Sequence, residues 1–118
     1  MPTSSRSTGS PPSRTGKRKA TAQTAAERRG AQAQKAAALL KQIGDPTRLQ
    51  VLLLLDDGER NVGALCQDLS LTQPALSHHL ALLRHGGIIR PRREGKSNYY
   101  SLSELGQHLV RVARALVR

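Results

Sequence analysis

The chain has 118 residues, of which 37% are hydrophobic, and a formal net charge of +11, so it has room for one small domain. Its single cysteine excludes an internal disulfide and cannot form a zinc site alone, and no apolar run approaches the roughly 18 residues needed to cross a bilayer. The excess of positive charge indicates a polyanionic partner, and nucleic acid fits better than a membrane.

The first part of the chain differs in composition from the rest. Residues 1–25 are rich in Ser, Thr, Pro and Gly and hold almost nothing to bury, which predicts a disordered basic arm over 1–25 and a folded domain over 26–118. Residues 1–35 carry eight Lys and Arg against one acid, Glu27. The arm therefore either seeks phosphates or only keeps the chain in solution. Because the first 30 residues lack an apolar stretch, we expect no signal peptide and a cytoplasmic protein.

Apolar spacing and capping residues predict two helices before residue 58. The first begins at Ala25, is alanine-rich and ends in the apolar residues Leu39, Leu40 and Ile43. The second follows Asp45 as N-cap, has Pro46 as its first residue and ends at "DDG". Its predicted buried stripe consists of Leu49, Leu52, Leu53 and Leu55.

Three further capping residues place the remaining helices. Asn61 caps "VGALCQDL", Thr72 caps a helix over about 73–85, and Ser103 caps "ELGQHLVRVARALVR". Between the last two, "IIRPRR" and "NYYSL" indicate strands of a hairpin around "EGKS", with Gly95 in its tight turn. The predicted fold class is mainly α with a small β-hairpin wing.

Two helices joined by a tight turn form either a helix-turn-helix or a plain helical hairpin, and their spacing separates the two. A DNA-reading unit needs a small residue in its first helix, a turn residue four positions later and an apolar residue six positions beyond. Cys66, Ser70 and Leu76 fit this spacing. Ser70 stands where glycine is usual, which costs stability if it adopts a positive φ. For Cys66 we favour a compact structural role over a redox switch, which would need a second thiol or an exposed electropositive setting.

The second helix of this unit carries two adjacent histidines. At about 100° per residue, Leu76, Leu80 and Leu83 share the core face. His78 then lies on the outer face and His79 on the shoulder of the core, so the two rings diverge and cannot chelate one ion. Base edges are predicted to be read by Gln73, Ser77 and His78, with Pro74 against the groove and Thr72 fixing the helix start.

The predicted hairpin is strongly basic. Its cations either contact the DNA backbone or form a merely solvated charge run, and four of them in a dozen residues favour the first. Arg90 is the one that most easily fits the second interpretation. The sequence shows no carboxylate pair, no nucleophile beside a base and no phosphate-cradling glycine loop, so we predict neither an enzyme nor a cofactor. The predicted phosphate contacts are Arg92, Arg93 and Lys96.

In their order, "DPTRLQVLLLL", "NVGALCQDLSLTQPALSHHLALLRHGGII" and "REGKSNYYSL" resemble the ArsR/SmtB family of bacterial winged helix-turn-helix repressors, over roughly residues 32–118. The resemblance implies a homodimer built from the first and last helices, a palindromic operator in double-stranded DNA, and an effector whose identity the sequence leaves open. The last helix would carry an exposed apolar seam on a monomer, which independently favours a dimer. The predicted interface consists of Leu39, Leu105, Leu109, Val112 and Leu116.

The resemblance also implies two metal sites, and the residues fit neither. Asn61 in "ERNVGAL" stands where one family site has the cysteine of "ELCVGDL". On the last helix Glu104 matches a ligand position, but Gly106 and Val117 occupy the histidine positions. A lone ligand does not hold a transition metal, so we predict no metal site.

These observations together predict a homodimeric, sequence-specific DNA-binding transcriptional regulator that represses by occluding a promoter. One alternative is a non-specific, nucleoid-like protein that binds nucleic acid through the basic arm. Another is a winged helix that pairs with a different protein through its last helix, which would leave the basic hairpin without a role.

Overall fold

The computed structural model describes residues 22–118, so most of the predicted arm lies outside the described residues. By its contacts the chain divides into a first unit that ends at Ala36 and a second unit over 37–118. Helix α1 (Ala25–Ile43) begins where the sequence predicts. A capping box that the sequence analysis missed starts it: Thr24 Oγ1 accepts from the Glu27 N–H at 3.1 Å, and Glu27 Oε1 accepts from the Thr24 N–H at 2.9 Å.

Four further helices form in the second unit, and each starts behind a predicted N-cap. They are α2 (Pro46–Asp56), α3 (Val62–Leu69), α4 (Gln73–His85) and α5 (Glu104–Leu116). The caps have extended backbones, and each side chain accepts a hydrogen bond from an N–H three residues on, which satisfies a donor at the helix start. The predicted caps are therefore confirmed as Asp45, Asn61, Thr72 and Ser103.

An antiparallel sheet of three strands in the order β1-β3-β2 accompanies these helices. The strands are β1 (Arg60–Asn61), β2 (Ile89–Glu94) and β3 (Ser97–Leu102). The hairpin is confirmed with a shorter turn than "EGKS", because Glu94 pairs directly with Ser97 and Gly95 has a φ of 62°. Strand β1 was not predicted, since two residues carry no alternating pattern, and it forms by pairing with Tyr99 and Tyr100.

The core is aliphatic and lies between α2, α3, α4, α5 and the sheet. Helix α2 differs from the prediction: Val51 is fully buried, whereas Leu49 and Leu53 are only half-buried. The reason is that α2 packs against α3, α4, α5 and β3, so its buried face is wider than one stripe. The largest fully buried side chains are Leu52, Leu65, Leu76, Leu83, Ile88, Val51 and Val110.

Within the described residues, no helix is long and apolar enough to span a bilayer.

Helix α5 begins in close contact with the segment between α4 and β2. Ser103 is buried, and its Oγ lies 2.5 Å from the Gly87 carbonyl oxygen and 2.9 Å from that of Ile88. One turn later, a Cβ at Gly106 would fall far inside the van der Waals distance of the Ile88 carbonyl oxygen. Only glycine lets the two backbones approach this closely, so the start of α5 fixes the joint between α4 and the hairpin.

Candidate nucleic-acid interface

The turn between α3 and α4 has the backbone that the helix-turn-helix spacing requires. Ser70 adopts the left-handed region with φ 55° and ψ 45°, and the Leu71 N–H donates to the Cys66 carbonyl oxygen at 2.9 Å. A serine in this region costs about 1 kcal/mol relative to glycine. Cys66 itself is half-buried and packed against the core, which agrees with its compact structural role.

Helix α4, the predicted recognition helix, turns its leucine side toward the core, as the sequence predicts. Leu76, Leu80 and Leu83 are 0%, 3% and 0% exposed. The polar positions on the other side are exposed, and Thr72 Oγ1 lies 3.4 Å from the Ala75 N–H that it caps. Within residues 22–118, no hydrogen bond involves the side chains of the predicted base readers, so their donors and acceptors face solvent. These exposed residues are Gln73, Pro74, Ser77 and His78.

His79 holds the recognition helix to the start of α2. Its side chain is 21% exposed, and Nδ1 lies 3.9 Å from Asp45 Oδ2 and 3.2 Å from Arg48 Nη1. Its ring is half-buried, as its position on the shoulder of the core predicts, and the nearest side chains are those of α2 and its N-cap. The Arg48 backbone N–H also holds the pKa of the Asp45 carboxyl below its usual value. The His78 and His79 ring planes are inclined at 61°, with centroids 5.8 Å apart, and His78 is exposed whereas His79 is half-buried.

The wing consists of β2, β3 and their turn. One of its arginines is already paired with carboxylates of the same chain. Arg92 donates from Nη2 and Nε to the two carboxylate oxygens of Glu59, at 2.6 and 2.9 Å. Its Nη1 lies 3.4 Å from Glu94, and its guanidinium carbon lies 5.0 Å from the Tyr99 ring centroid. The hydrogen bonds from Arg92 lower the pKa of the Glu59 carboxyl, and the same contact raises the pKa of Arg92. Arg92 therefore differs from the other wing cations.

The remaining wing cations are open to solvent. Arg93 donates from Nε to the Gly95 carbonyl oxygen at 3.1 Å, and Lys96 sits in the turn of the hairpin. Arg90, Arg93 and Lys96 are all exposed, and none of them pairs with a carboxylate within the described part of the chain. Their charge is thus free to meet phosphates.

The recognition helix and the wing border the same polar cleft, which has a volume of about 260 Å³. The start of α3, the start of α4 and the wing turn border it, so Gln73 and Lys96 share its lining. A second cleft of about 150 Å³ joins Ser77 to Arg84 and Asn98. Sequence reasoning missed these last two residues, although an arginine in the last turn of α4 and an amide on the exposed face of β3 are visible signals. The larger cleft is lined by Asn61, Val62, Gly63, Gln73, Lys96, Ser97 and Asn98.

The predicted dimer residues do not share one environment. Leu109 is only 7% exposed and packs inside the protomer, and Leu39 and Leu105 are half-buried against the core. Val112 and Leu116 are 46% and 80% exposed. Together with Leu40 they border an apolar cleft of about 380 Å³ between the ends of α1 and α5 and the start of α2.

Comparisons with known sequences agree with this architecture. The profile of the bacterial regulatory protein arsR family matches residues 45–90. A helix-turn-helix-type transcriptional regulator of Methanocaldococcus jannaschii is 44% identical over 68 residues, which is 57% of this chain and 76% of that protein. The transcriptional activator HlyU of Vibrio cholerae is 46% identical over 58% of this chain and 64% of its own length. The arsenical resistance operon repressor of Escherichia coli is 47% identical over 55% and 56%.

Solved structures extend the similarity to most of the described residues. Reduced HlyU from Vibrio cholerae superposes with a TM-score of 0.71 at 36% identity, over 77% of this chain and 97% of that chain. The homodimeric winged helix-turn-helix domain Mb0332 from Mycobacterium bovis gives 0.69 at 30% identity, over 81% and 88%. With its helix-turn-helix, basic wing and these relatives, the chain belongs to the ArsR family of bacterial regulatory proteins and is a DNA-binding transcriptional regulator.

Proposed function

We propose that the protein is a homodimeric repressor that occupies a palindromic operator and so blocks the promoter that contains it. One observation carries this proposal: the polar face of α4 is exposed and unbonded within the described residues, directly beside a basic hairpin. A helix whose apolar side is fixed in the core can insert its other side into a major groove without rearrangement. Because the proposed target is promoter DNA, a cytoplasmic location is part of the same proposal.

Each side chain of the interface has a proposed role. Gln73 and His78 hydrogen-bond to base edges, and Ser77 contacts either a base or the sugar-phosphate chain. Pro74 packs against the groove wall, while Thr72 keeps the first turn of α4 closed. Phosphates are held by Arg93 and Lys96, with Arg90 and Arg84 as further candidates. Since the Arg92 guanidinium is bound by Glu59, its proposed role is to hold the wing in shape beside the DNA.

The dimer rests on the apolar cleft at the ends of α1 and α5. Leu40, Val112 and Leu116 leave apolar surface exposed there, and a small domain gains stability by burying such surface against a second copy. The similar domain Mb0332 is homodimeric, which supports a dimeric state for this chain. The proposed seam therefore centres on Val112 and Leu116, with Leu39 and Leu105 behind it and Leu109 as its buried support.

A twofold dimer makes a geometric demand that footprinting tests. Two copies of α4 related by a twofold axis should protect two half-sites about 34–36 Å apart along the DNA. We expect genomic footprinting of the full chain to find such symmetric sites within promoters, and the protection to survive an excess of random DNA. Leu116→Glu should abolish the symmetric footprint, whereas Val117→Glu, with similar exposure at the end of the chain, is the matched control. Protection that random DNA removes would instead indicate the non-specific, nucleoid-like alternative.

A further inference from the structure

A cavity of about 430 Å³ lies between the end of α2, strand β3 and α5, away from the DNA-facing side chains. Gln107, Arg111 and Arg114 line it from one row of α5, at positions i, i+4 and i+7. At 100° per residue, Arg111 points about 100–140° away from Val112 and Leu116, so a partner seated on the proposed seam leaves this row open. The remaining lining is Leu55, Asp56, Gly58, Glu59, Ser101, Leu102 and Val110.

The charges around the cavity are paired except for one. Asp56 Oδ2 lies 3.1 Å from Arg114 Nη2 and 3.3 Å from its Nε, and Glu59 is held by Arg92. Within residues 22–118, the Arg111 side chain hydrogen-bonds only to the ring Nδ1 of His108 and has no carboxylate partner. Once the internal pairs are set aside, the cavity therefore presents a single positive charge.

Neutral donors and an apolar floor complete the site. The side chains of Ser101 and Gln107 form no hydrogen bond within the described part of the chain, so both can donate to a ligand. The apolar part of the lining, here called the floor, consists of Leu55, Leu102 and Val110. A guanidinium binds a carboxylate through two parallel hydrogen bonds, and a volume of this size lies in the range of small-molecule sites. These features suit a ligand with one acidic group and an apolar body.

We propose that this cavity binds a small organic carboxylate, with its acid group on Arg111 and its apolar part over the floor. The rim residue Glu59 is also the residue that holds Arg92 of the wing. An occupant would thus sit beside the contact that connects the end of α2 to the DNA-binding hairpin. The site goes beyond the proposed DNA function and does not depend on it.

Benzoate and hexanoate are suitable probes, and benzylamine is the cationic control. In ¹H–¹⁵N NMR titrations of the full chain, we expect both acids to shift signals of β3 and α5 saturably, with a Kd of about 1 mM or tighter. Arg111→Gln should raise that Kd at least about tenfold, because it removes a charge-assisted hydrogen bond. Arg29→Gln removes the same charge from an exposed position of α1, outside the cavity and the proposed DNA interface, and should leave the Kd unchanged.

Three results would overturn the carboxylate site. They are the absence of saturable shifts with either acid, equal Kd values for the Arg111 and Arg29 variants, or benzylamine binding as tightly as benzoate. Signal dispersion in the ligand-free spectrum shows whether each variant is folded, and Arg111→Lys, which keeps the charge but loses the planar fork, should give an intermediate Kd. Operator binding by the same samples without acid reports on the proposed DNA function separately.

Discussion

The recognition helix and the wing are both polar and exposed, but they keep their functional groups in different states. On α4 the side chains of Gln73, Ser77 and His78 form no hydrogen bond within residues 22–118, so DNA is free to use all their donors and acceptors. On the wing, Arg92 is bound by two carboxylates and covers the Tyr99 ring. Helix α4 therefore presents unbonded polar groups, whereas the wing uses one of its cations in contacts that hold the wing itself in shape.

This difference shows that charge count alone does not identify phosphate contacts. An arginine bound to two carboxylates adds little net charge to its neighbourhood, and Glu59 already occupies two of the Arg92 N–H donors that could bind a phosphate as a fork. The free cations, Arg93 and Lys96, meet a phosphate without that exchange. Within the described residues, the wing therefore has fewer cations without a carboxylate partner than its sequence suggests.

The largest expected effect comes from the joint that the two regions share. Gly106→Ala places a methyl group against the Ile88 backbone, so we expect the free energy of unfolding to fall by about 3 kcal/mol. DNA binding through both regions should weaken together. Chemical denaturation measures the loss, and Gly63→Ala, whose Cβ has room, should change stability by less than about 1 kcal/mol. Equal stability of the two variants would contradict the close packing.

Base reading by α4 should appear as a sequence-dependent loss. We expect Gln73→Ala or His78→Ala to cost about 1–3 kcal/mol of binding to the operator and much less on random DNA. Fluorescence anisotropy with both DNAs gives the two values. Gln67→Ala and His108→Ala change the same residue types at exposed positions of α3 and α5 and should leave both affinities intact. Equal losses on the two DNAs would assign Gln73 and His78 to the backbone instead.

Arg93 and Arg92 are neighbouring wing arginines, and comparing them tests whether a carboxylate partner keeps an arginine from contacting phosphate. Arg93→Ala should flatten the slope of log K against log salt concentration by about 0.9, the effect of one lost phosphate contact. Arg92→Ala removes the same formal charge but should change that slope less, because Glu59 already neutralises it. Titrations at several salt concentrations measure both slopes. The same reduction for both variants would mean that Arg92 leaves Glu59 and contacts the DNA.

The smallest effect concerns pH. The Arg92 hydrogen bonds hold the pKa of Glu59 below its usual value of 4.5 in the folded protein. The contact between Arg92 and Glu59 therefore stabilises the fold fully when the pH is above the usual pKa of a glutamate. This stabilisation is lost as the pH falls through the lower pKa that Glu59 has in the folded protein. Between neutral pH and pH about 3, we expect the wild-type thermal midpoint to fall further than that of Glu59→Gln. Parallel curves would show that the pair adds nothing to stability.

The features that the sequence predicted are those with local signals. Capping residues gave the helix starts, and the spacing of Leu76, Leu80 and Leu83 gave the buried side of α4, because both patterns repeat within a few residues. The missed features depend on distant residues. Glu59 and Arg92 are 33 positions apart, and β1 exists only by pairing with β3. At Ser70 the sequence showed that a cost would follow from a positive φ, and only the structure supplied the angle.

The contact between Gly106 and Ile88 also limits how this chain can change over evolutionary time. The resemblance to the ArsR/SmtB family implies that Gly106 stands where metal-sensing members carry a histidine. Here an imidazole has no room unless α5 moves off the Ile88 carbonyl, and that movement would pull Ser103 from the carbonyls of Gly87 and Ile88. A coordinating side chain at position 106 therefore requires the backbone to shift first, so a single substitution there does not create a metal ligand within this packing.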